Sequence, residues 1–351
     1  MNAAYDTILS ADAETRTGLF TATAQRIGTT PQNVEKDFWV CWTLDALFNG
    51  LPGTPRLLFK GGTSLSKGFG LIRRFSEEID VTVFRDDLGK ACSIEDLQQL
   101  GTNKRNAALD AIREACEAFI NGDLLANLTR IAAEASARNG IADGLLKIVP
   151  DKDRQTLLVQ YPTATGPDAY VPKVVKIESG AKSALDPNSV RSLRPYLEQD
   201  VPDLDLEVAN VTVVDAERTF WDKVVILHGL RRWYESRGVL KNGGNRISRH
   251  YYDLHELMQS EVGQAAIADT ALGADCAAHA RMFFNRPAFD LATAVAPTFA
   301  LMPEGEMYDA LKQDYAAMSG MIFGEPPRYE AVMESISSLQ LQINAAPPQQ
   351  A

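Results

Sequence analysis

Residues 56–83 read RLLFKGGTSLSKGFGLIRRFSEEIDVTV, and this stretch decides the fold that the sequence predicts. The apolar run at 56–60 stops at two glycines, as a buried strand would. Residues 63–72 then predict a short helix with Thr63 or Ser64 as its N-cap. From Glu78 to Val83 polar and apolar residues alternate, which predicts a strand with one polar face. We therefore expect a strand, a glycine turn, a helix and a second strand.

The periodicity of the remaining sequence predicts two domains. Residues 15–50 and 94–139 have helical spacing, 155–161 and 170–179 resemble a pair of strands, and 183–205, with three prolines, is expected to be irregular. Beyond Val214 helices are expected at 217–230, 251–259, 265–284 and 308–321. We predict an α/β (α+β) domain over residues 1–210, with a small mixed sheet flanked by helices. An all-helical domain at 211–344 and a disordered tail at 345–351 follow it.

The composition is that of an ordinary globular protein. The chain has 351 residues, of which 45% are hydrophobic and 23% charged. Its apolar runs are too short to span a membrane, and its N-terminus has no apolar signal segment. The cysteines are scattered without the paired spacing of a zinc site, at Cys41, Cys92, Cys116 and Cys276. We therefore expect a cytoplasmic protein with no membrane partner.

The charge is unevenly distributed along the chain. A net charge of −11 argues against a protein coated in nucleic acid. Residues 228–250 are an exception, because their basic side chains stand against one acid, Glu235; the basic residues are Arg231, Arg232, Arg237, Lys241, Arg246 and Arg249. Such a segment could form a phosphate-binding groove. A solvated arginine-rich loop accounts for the same charges, so both interpretations stay open.

Two motifs in the opening stretch indicate phosphate chemistry. Glycines between a strand and a helix present backbone N–H groups to an anion. The following strand places Glu78 and Asp80 on one face, where a cation such as Mg²⁺ or Mn²⁺ would relieve their repulsion. Each motif alone is common, but their conjunction favours a nucleotide site that can neutralise a leaving pyrophosphate. The candidate nucleotide-binding residues are Lys60, Gly61, Gly62, Thr63, Ser64 and Lys67.

A third acid is expected on a neighbouring strand. Val174, Lys176 and Glu178 share one face of the strand predicted there, because side chains two residues apart point the same way. Glu178 is therefore a candidate metal ligand beside Glu78 and Asp80, and Lys176 a candidate phosphate contact. A half-exposed Lys/Glu pair of no functional importance accounts for the pattern equally well.

Four stretches resemble the AbiEii/AbiGii family, nucleotidyltransferase toxins of type IV toxin–antitoxin systems. The family includes the MenT-like toxins and belongs to the DNA polymerase β-type nucleotidyltransferase superfamily. The stretches are residues 34–39 (VEKDFW), 59–65 with 76–81 (FKGGTSL and SEEIDV), 217–223 (ERTFWDK) and 248–254 (SRHYYDL). The sequence MIFGE at 321–325 is a further similarity. The resemblance therefore spans most of the chain.

The resemblance implies a polymerase-β-like domain joined to a helical domain, with catalytic residues in both. In the family the acidic strand binds metal, which matches Glu78 and Asp80, and the loop serine matches Ser64. The family lysine matches Lys223. We therefore expect Asp80 and Lys223 to be catalytic.

The last family motif, RD-x-x-D, is matched with a departure. Arg249 and Asp253 occupy its first and last positions, and His250 replaces its usual aspartate. Asp253 is therefore the third expected catalytic residue. Glu78 is a second departure, because an aspartate is more usual at that position of the acidic strand.

The activity that the resemblance implies is metal-dependent transfer of a nucleoside monophosphate from an NTP to an acceptor. Some relatives add nucleotides to the 3′ end of tRNA, which makes RNA the expected acceptor. A toxin of this kind would have a cognate antitoxin, AbiEi-like, and a role in phage defence. The candidate acceptor-binding residues are Arg231, Arg232, Arg246, Arg249 and His250.

Two alternatives remain open at the level of sequence. The acceptor could be a protein hydroxyl or a cationic small molecule, which a negatively charged protein would suit. The chain could also be a non-catalytic nucleotide-binding module, with Glu78 and His250 as signs of decay. A Rossmann dehydrogenase and a Walker-type NTPase are disfavoured, because the residues around Gly61 lack both glycine spacings.

Overall fold

The computed structural model describes residues 1–76, 78–166, 173–244 and 246–345, which form two compact units. Unit 1 comprises Met1–Gly68, Phe75–Cys92 and Thr102–Val214. Unit 2 comprises Phe69–Arg74, Ser93–Gly101 and the chain from Asp215 onward. The division at 214/215 differs slightly from the expected 210/211, and the sequence did not predict the two short segments that join unit 2. Apart from Ala345, the expected tail at 345–351 lies outside the described residues.

Unit 1 is built on a mixed sheet. In the described chain its strands are β1 (Leu57–Lys60), β2 (Glu78–Val83), β3 (Lys147–Pro150), β4 (Thr156–Gln160), β5 (Val174–Gly180), β6 (Asn188–Leu193) and β7 (Val208–Val214). Their order is β3-β4-β5-β2-β1-β7-β6. The β1–β7 and β2–β5 pairs are parallel, and the other neighbouring pairs are antiparallel. The predicted mixed sheet is therefore confirmed.

The two faces of the central strands differ as the alternation predicted. Ile79 and Val81 of β2 are fully buried, as are Val175 and Ile177 of β5. The polar residues between them, on the other face, are only partly buried. The apolar face forms the core, which leaves the polar face of the sheet for chemistry.

Helices make up most of the remaining described chain. They are α1 (Ala4–Ser10), α2 (Ala13–Ile27), α3 (Pro31–Asn49), α4 (Gly61–Lys67), α5 (Ile94–Gln99), α6 (Thr102–Phe119), α7 (Leu125–Asn139), α8 (Ala216–Arg237), α9 (Ser248–Met258), α10 (Glu261–Ala268), α11 (Thr270–Phe283), α12 (Glu306–Met318) and α13 (Tyr329–Ala345). A π-helical turn at Ile120–Leu124 joins α6 to α7. The expected helical regions are confirmed, and none of these helices has the length and apolar character needed to cross a membrane.

The central helix of unit 1 is α3. Thr30 caps it by accepting a hydrogen bond from Asn33 N, and Pro31 occupies its first turn, where no N–H is needed. All its side chains from Asn33 to Leu47 are buried. Trp39 stacks on Tyr161 with ring centroids 5.1 Å apart. Trp39 and Trp42 of this helix therefore belong to the hydrophobic core of unit 1.

The core of unit 2 forms around α8. Trp221 donates its indole N–H to the carbonyl oxygen of Ala266 at 2.8 Å, and the Trp221 ring packs against Gly273 of α11 so closely that a Cβ there would be 2.9 Å away. On α9, Tyr251 and Tyr252 are fully buried. The two tyrosines therefore belong to the core, and they are not placed to stack on a nucleic-acid base.

Two local predictions were wrong. Helix α4 begins at Gly61 and ends at Lys67, and neither Thr63 nor Ser64 caps it. Residues 183–205 are not irregular, because they contain β6 and a 3₁₀ turn at Tyr196–Asp200. The prolines misled the prediction, since Pro187 and Pro195 directly precede these elements and Pro202 lies beyond the 3₁₀ turn, at positions where proline is tolerated.

Strand β6 forms one end of the sheet, where it pairs with β7. Its register shifts between Arg191 and Leu193. Val190 on this strand is 64% exposed, so the edge presents backbone and side chains to solvent.

Candidate active site

A row of polar residues crosses four neighbouring strands of unit 1. Lys60 of β1 pairs with Asp80 of β2, and Asp80 pairs in parallel with Glu178 of β5. Thr156 of β4 lies opposite Glu178. Residues directly opposite each other point to the same face of a sheet, so one face carries a lysine and two carboxylates side by side. Register alone brings Lys60, Asp80 and Glu178 together, although the three are far apart in sequence.

The next row on this face holds Glu78 and Lys176, which are also direct partners in the β2–β5 pair. Lys176 Nζ lies 3.9 Å from Glu178 Oε1, and both side chains are more than 40% exposed. Each of the two rows therefore contains both a lysine and at least one carboxylate. The structure thus brings together the predicted metal ligands and two predicted phosphate contacts.

The donor set suits a hard divalent cation. Carboxylate oxygens are the ligands that Mg²⁺ and Mn²⁺ prefer, and Glu78, Asp80 and Glu178 project from one face of adjacent strands. Among the residues that the structure describes, however, no three His, Cys, Asp or Glu side chains are arranged to hold a metal ion. The residues therefore fit a divalent cation by chemistry and register, and the metal site stays a prediction.

Gly61 has a steric role that the sequence did not reveal. Its φ of +82° is a left-handed conformation that favours glycine. A Cβ at this position would overlap Oδ2 of Asp80. Gly61 therefore lets the Asp80 carboxylate lie against the backbone at the start of α4. This contact joins the glycine loop (Gly61–Gly62) to the acidic strand β2.

The hydroxyls after the glycines are used within unit 1. Thr63 Oγ1 lies 2.6 Å from Ser76 Oγ and also hydrogen bonds to the carbonyl oxygen of Glu78. Ser64 donates to the carbonyl oxygen of Gly61 at 2.9 Å and is fully buried. The Thr63 contacts tie α4 to the segment that enters β2. Nucleotide contacts by Gly62, Thr63 and Ser64 stay predictions.

Lys67 lies in a buried cluster rather than on the polar face of the sheet. Its ammonium forms an ion pair with Asp37 of α3 and lies 3.2 Å from the centre of the Tyr196 ring. Asp37 also accepts a hydrogen bond from the Tyr196 backbone N–H at 2.7 Å. Burial lowers the pKa of Lys67. The charges of Asp37 and Tyr196 raise it by more, so the net pKa of Lys67 is raised. We assign Lys67 a structural role in place of the expected phosphate contact.

The expected catalytic residues of unit 2 form a buried ion cluster. Lys223 Nζ of α8 lies 2.8 Å from Asp253 Oδ2 of α9. Arg74 approaches the same carboxylate with Nε 2.7 Å from Oδ1 and a terminal nitrogen 2.9 Å from Oδ2. Exposed fractions are 3% for Arg74, 5% for Lys223 and 0% for Asp253. Arg74 was not expected from the sequence, where its one signal is a pair of arginines inside the apolar run FGLIRRF at 69–75.

Electrostatics in this cluster favour ionised Asp253. Burial raises the pKa of Asp253, but Arg74 and then Lys223 lower it by more, so the net pKa is lowered. Burial lowers the pKa of Lys223, and Asp253 only partly offsets this. Burial, together with Lys223 and Arg249, lowers the pKa of His250 well below its usual value. His250 is therefore neutral at pH 7, and its Nδ1 is buried without a hydrogen-bond partner in the described structure.

The basic segment is partly neutralised within unit 2. Arg231 pairs with Glu235 at 3.1 Å and with Glu304 at 2.6 Å, and Arg232 pairs with Glu235 at 2.9 Å. Arg246 donates its backbone N–H to Asp314. Because acids from outside the segment reach it, the excess of positive charge is smaller than the sequence indicated. Acceptor binding by these residues, Arg249 and His250 stays a prediction.

We assign neither the cysteines nor a cleft of unit 1 to the candidate site. The cysteines are free, and three of the four are buried. A cleft of about 580 Å³ in unit 1 is lined by the first residues of the chain, the end of α3 and residues 203–209. None of the predicted site residues lines this cleft.

Comparison with known proteins identifies the family of this chain. None of the curated proteins matches the chain. Among solved structures, MenT4, a nucleotidyltransferase toxin from Mycobacterium tuberculosis H37Rv, is similar with a TM-score of 0.49 and 15% identity, over 94% of this chain and 90% of that one. Residues 42–335 match the family described as nucleotidyl transferase AbiEii toxin, type IV TA system. This chain therefore belongs to the AbiEii family of nucleotidyltransferase toxins of type IV toxin–antitoxin systems.

Proposed function

We propose that this enzyme transfers a nucleoside monophosphate from an NTP to the 3′ end of an RNA, with tRNA as the expected acceptor and Mg²⁺ or Mn²⁺ as the metal. The observation that supports this most is the row of Lys60, Asp80 and Glu178 across adjacent strands, with Glu78 and Lys176 beside it. Carboxylates for a cation and lysines for phosphate oxygens on one face are what triphosphate chemistry requires.

In the proposed reaction the acceptor hydroxyl loses its proton to solvent and its oxygen forms a bond to the α-phosphorus. The bond from the α-phosphorus to the oxygen that bridges to the β-phosphorus breaks, and pyrophosphate leaves. Lys60 and Lys176 would neutralise phosphate oxygens, and Glu78, Asp80 and Glu178 would hold the cation. The bound cation would neutralise triphosphate charge and lower the pKa of the acceptor hydroxyl. Lys223 and Asp253 are proposed as catalytic residues of unit 2, from their match to the family motifs.

The test is label transfer from each of four α-³²P-labelled NTPs to total RNA, with Mg²⁺ or Mn²⁺, by the wild-type chain and Asp80→Ala. We expect one nucleotide to be transferred and the variant to lose at least about 10²-fold in rate, as when a key electrostatic group is removed. Thr156→Val is a matched control, because it changes the same row without removing a charge. Equal rates for wild type and Asp80→Ala would contradict the proposal.

A second acceptor class is favoured by the charge of the molecule. The net charge is −11, and Glu235 and Glu304 neutralise Arg231 and Arg232 in the segment expected to bind RNA. A cationic small molecule or a protein hydroxyl would then be the acceptor. The same labelled NTPs incubated with cell extract separate the cases, because label enters RNA, protein or the small-molecule fraction. Binding of NTP without pyrophosphate release under either metal would favour the non-catalytic alternative.

We propose that the enzyme acts in the cytoplasm, restrained by a cognate AbiEi-like antitoxin, and contributes to phage defence. Membership of a toxin family supports this proposal. Induction of the wild-type chain without antitoxin is expected to arrest growth, and Asp80→Ala is expected to relieve the arrest at equal protein level. Growth arrest by both proteins would show that toxicity does not depend on nucleotidyl transfer.

A further inference from the structure

We infer that Arg74 is a positioning residue for nucleotidyl transfer. Its guanidinium orients the Asp253 carboxylate. Through Asp253 it determines where the Lys223 ammonium lies and allows that ammonium to turn toward a phosphate. The inference rests on the proposed catalytic function of Lys223 and Asp253. Arg74 acts through these two residues, so it does not itself need to contact the substrate.

The Arg74 guanidinium fixes the orientation of the Asp253 carboxylate. A planar guanidinium that contacts both oxygens of a carboxylate leaves that carboxylate one orientation. The backbone that carries Arg74 is itself fixed within unit 2, because Arg74 forms a β-bridge with Ile322 and the carbonyl oxygen of Arg73 accepts a hydrogen bond from Phe323 N at 2.8 Å. Asp253 therefore presents Oδ2 to Lys223 from a rigid base.

Arg74 also acts on Lys223 electrostatically. Arg74 already neutralises the buried Asp253, so Lys223 can turn toward a phosphate without leaving an uncompensated buried carboxylate, which would cost stability. Without Arg74, Lys223 would have to neutralise Asp253 and would be held there. The pKa of Lys223 agrees with this view, because burial lowers it and the Arg74 charge lowers it further against the opposing effect of Asp253.

The kinetic test compares Arg74→Gln and Arg74→Lys with the wild type, all corrected for the folded fraction. We expect kcat to fall about 10²-fold in Arg74→Gln, as for small misplacements of catalytic groups, while KM for the NTP changes by less than about threefold. Arg74→Lys keeps the charge that neutralises Asp253 but lacks the planar fork, so it should recover folding and only part of kcat. Unchanged kcat per folded molecule, or full recovery by lysine, would overturn the inference.

Arg56→Gln is the matched control. Arg56 contacts Asp87 through the same two-point geometry, at 2.9 Å for both contacts, but in unit 1 and outside the candidate site. We expect its kcat per folded molecule to equal that of the wild type. A fall as large as that of Arg74→Gln would show that loss of any arginine fork impairs the enzyme, which would overturn the specific role of Arg74.

A second measurement does not depend on activity. A double-mutant cycle between Arg74→Gln and Lys223→Met, followed by denaturant unfolding, should show a coupling of about threefold or more in the unfolding equilibrium constant. The coupling should vanish when Asp253→Asn is present in all four proteins. If Arg74→Gln does not fold, Arg74→Lys takes its place.

Additive effects in the presence of Asp253 would overturn the inference. An inactive wild type that retains the coupling would instead remove the proposed function, so the two failures are distinguishable.

Discussion

At the residue scale, glycine is required at position 61 for two separable reasons. The left-handed φ would strain any L-residue, and the space that a Cβ would occupy is filled by the Asp80 carboxylate. Gly53 has the same φ of +82°, yet a Cβ there would meet no atom within 4 Å. Substitution of Gly53 therefore tests backbone strain alone, whereas substitution of Gly61 tests backbone strain together with displacement of the Asp80 carboxylate.

We predict that Gly61→Ala loses transfer activity to nearly the same extent as Asp80→Ala, because the new methyl group displaces the carboxylate. Gly61→Ala and Gly53→Ala should each lose about 1–2 kcal/mol of unfolding free energy from strain. Gly53→Ala should keep its activity. Rates of label transfer and denaturant unfolding of both variants check this, and an active Gly61→Ala would contradict the steric role.

Burial distinguishes the structural lysine Lys67 from the expected phosphate-binding lysine Lys176. The Lys67 and Asp37 side chains are 4% and 3% exposed, whereas Lys176 and Glu178 are 41% and 43% exposed. A lysine with an exposed ammonium can bind and release a phosphate. A lysine that neutralises a buried carboxylate cannot leave it without a large cost.

Lys67→Met should therefore lower the unfolding free energy by about 3–5 kcal/mol, because it leaves Asp37 buried without its ion-pair partner. Lys176→Met is the control and should change stability by less than about 1 kcal/mol, as is usual for exposed ion pairs. Denaturant unfolding measures both. If Lys67→Met kept its stability but lost affinity for NTP, the phosphate contact expected from the sequence would be restored.

At the element scale, His228 fastens the segment 290–300 to α8. The backbone N–H of Ala300 donates to Nδ1 at 3.1 Å, and Nε2 lies 3.1 Å from Thr293 Oγ1 and 3.3 Å from the carbonyl oxygen of Asp290. Because Nδ1 accepts, Nε2 carries the proton and the ring is neutral. Burial lowers the pKa of His228, chiefly by desolvating the charged form.

The lowered pKa of His228 makes its hydrogen bonds to the segment 290–300 sensitive to acid. Below about pH 6.5 the unfolded chain binds a proton that the folded His228 does not, so the unfolding free energy should fall as the pH falls, by up to about 1.4 kcal/mol per pH unit. His228→Gln should show a shallower fall between pH 7 and 5. The pKa values of Asp37 and Glu256 are raised and act in the opposite sense, but they are common to both proteins. Equal pH slopes would refute the role of His228.

The sequence predicted elements better than their junctions. The β2 strand and the central helices followed from hydrophobic periodicity, because burial of one face is a local property of the sequence. Strand register is not local, so the sequence could name Glu178 but could not place it opposite Asp80. Nor could it distinguish Lys67 from Lys60, since the burial of Lys67 depends on Asp37 and Tyr196, which are distant in sequence.

At the scale of the whole molecule, the two units do not correspond to two continuous halves of the chain. Phe69–Arg74 lies between the glycine loop and the acidic strand in sequence but belongs to unit 2. Ser93–Gly101 also belongs there, with Leu97 fully buried. The C-terminal half therefore depends on two segments of the N-terminal half for its core and for the neutralisation of Asp253.

We predict that a fragment of residues 215–351 does not fold stably alone. It lacks Arg74, whose loss from a buried ion cluster costs about 3–5 kcal/mol, and Leu97, whose loss costs about 2–5 kcal/mol. Together these losses approach the whole stability of a typical domain. Thermal unfolding followed by circular dichroism tests this against the full chain. A cooperative transition of the fragment near the melting temperature of the full chain would contradict it.

The β6 strand at the end of the sheet bears on the solubility of the protein. An open edge with an exposed Val190 could pair with the edge of another molecule and begin an aggregate. Its shift of register between Arg191 and Leu193 and the positive charge of Arg191 both oppose such pairing, because a bulged, charged edge does not offer a regular ladder. An enzyme with a regular, uncharged β6 would therefore self-associate at high concentration, even if its catalytic activity were unchanged.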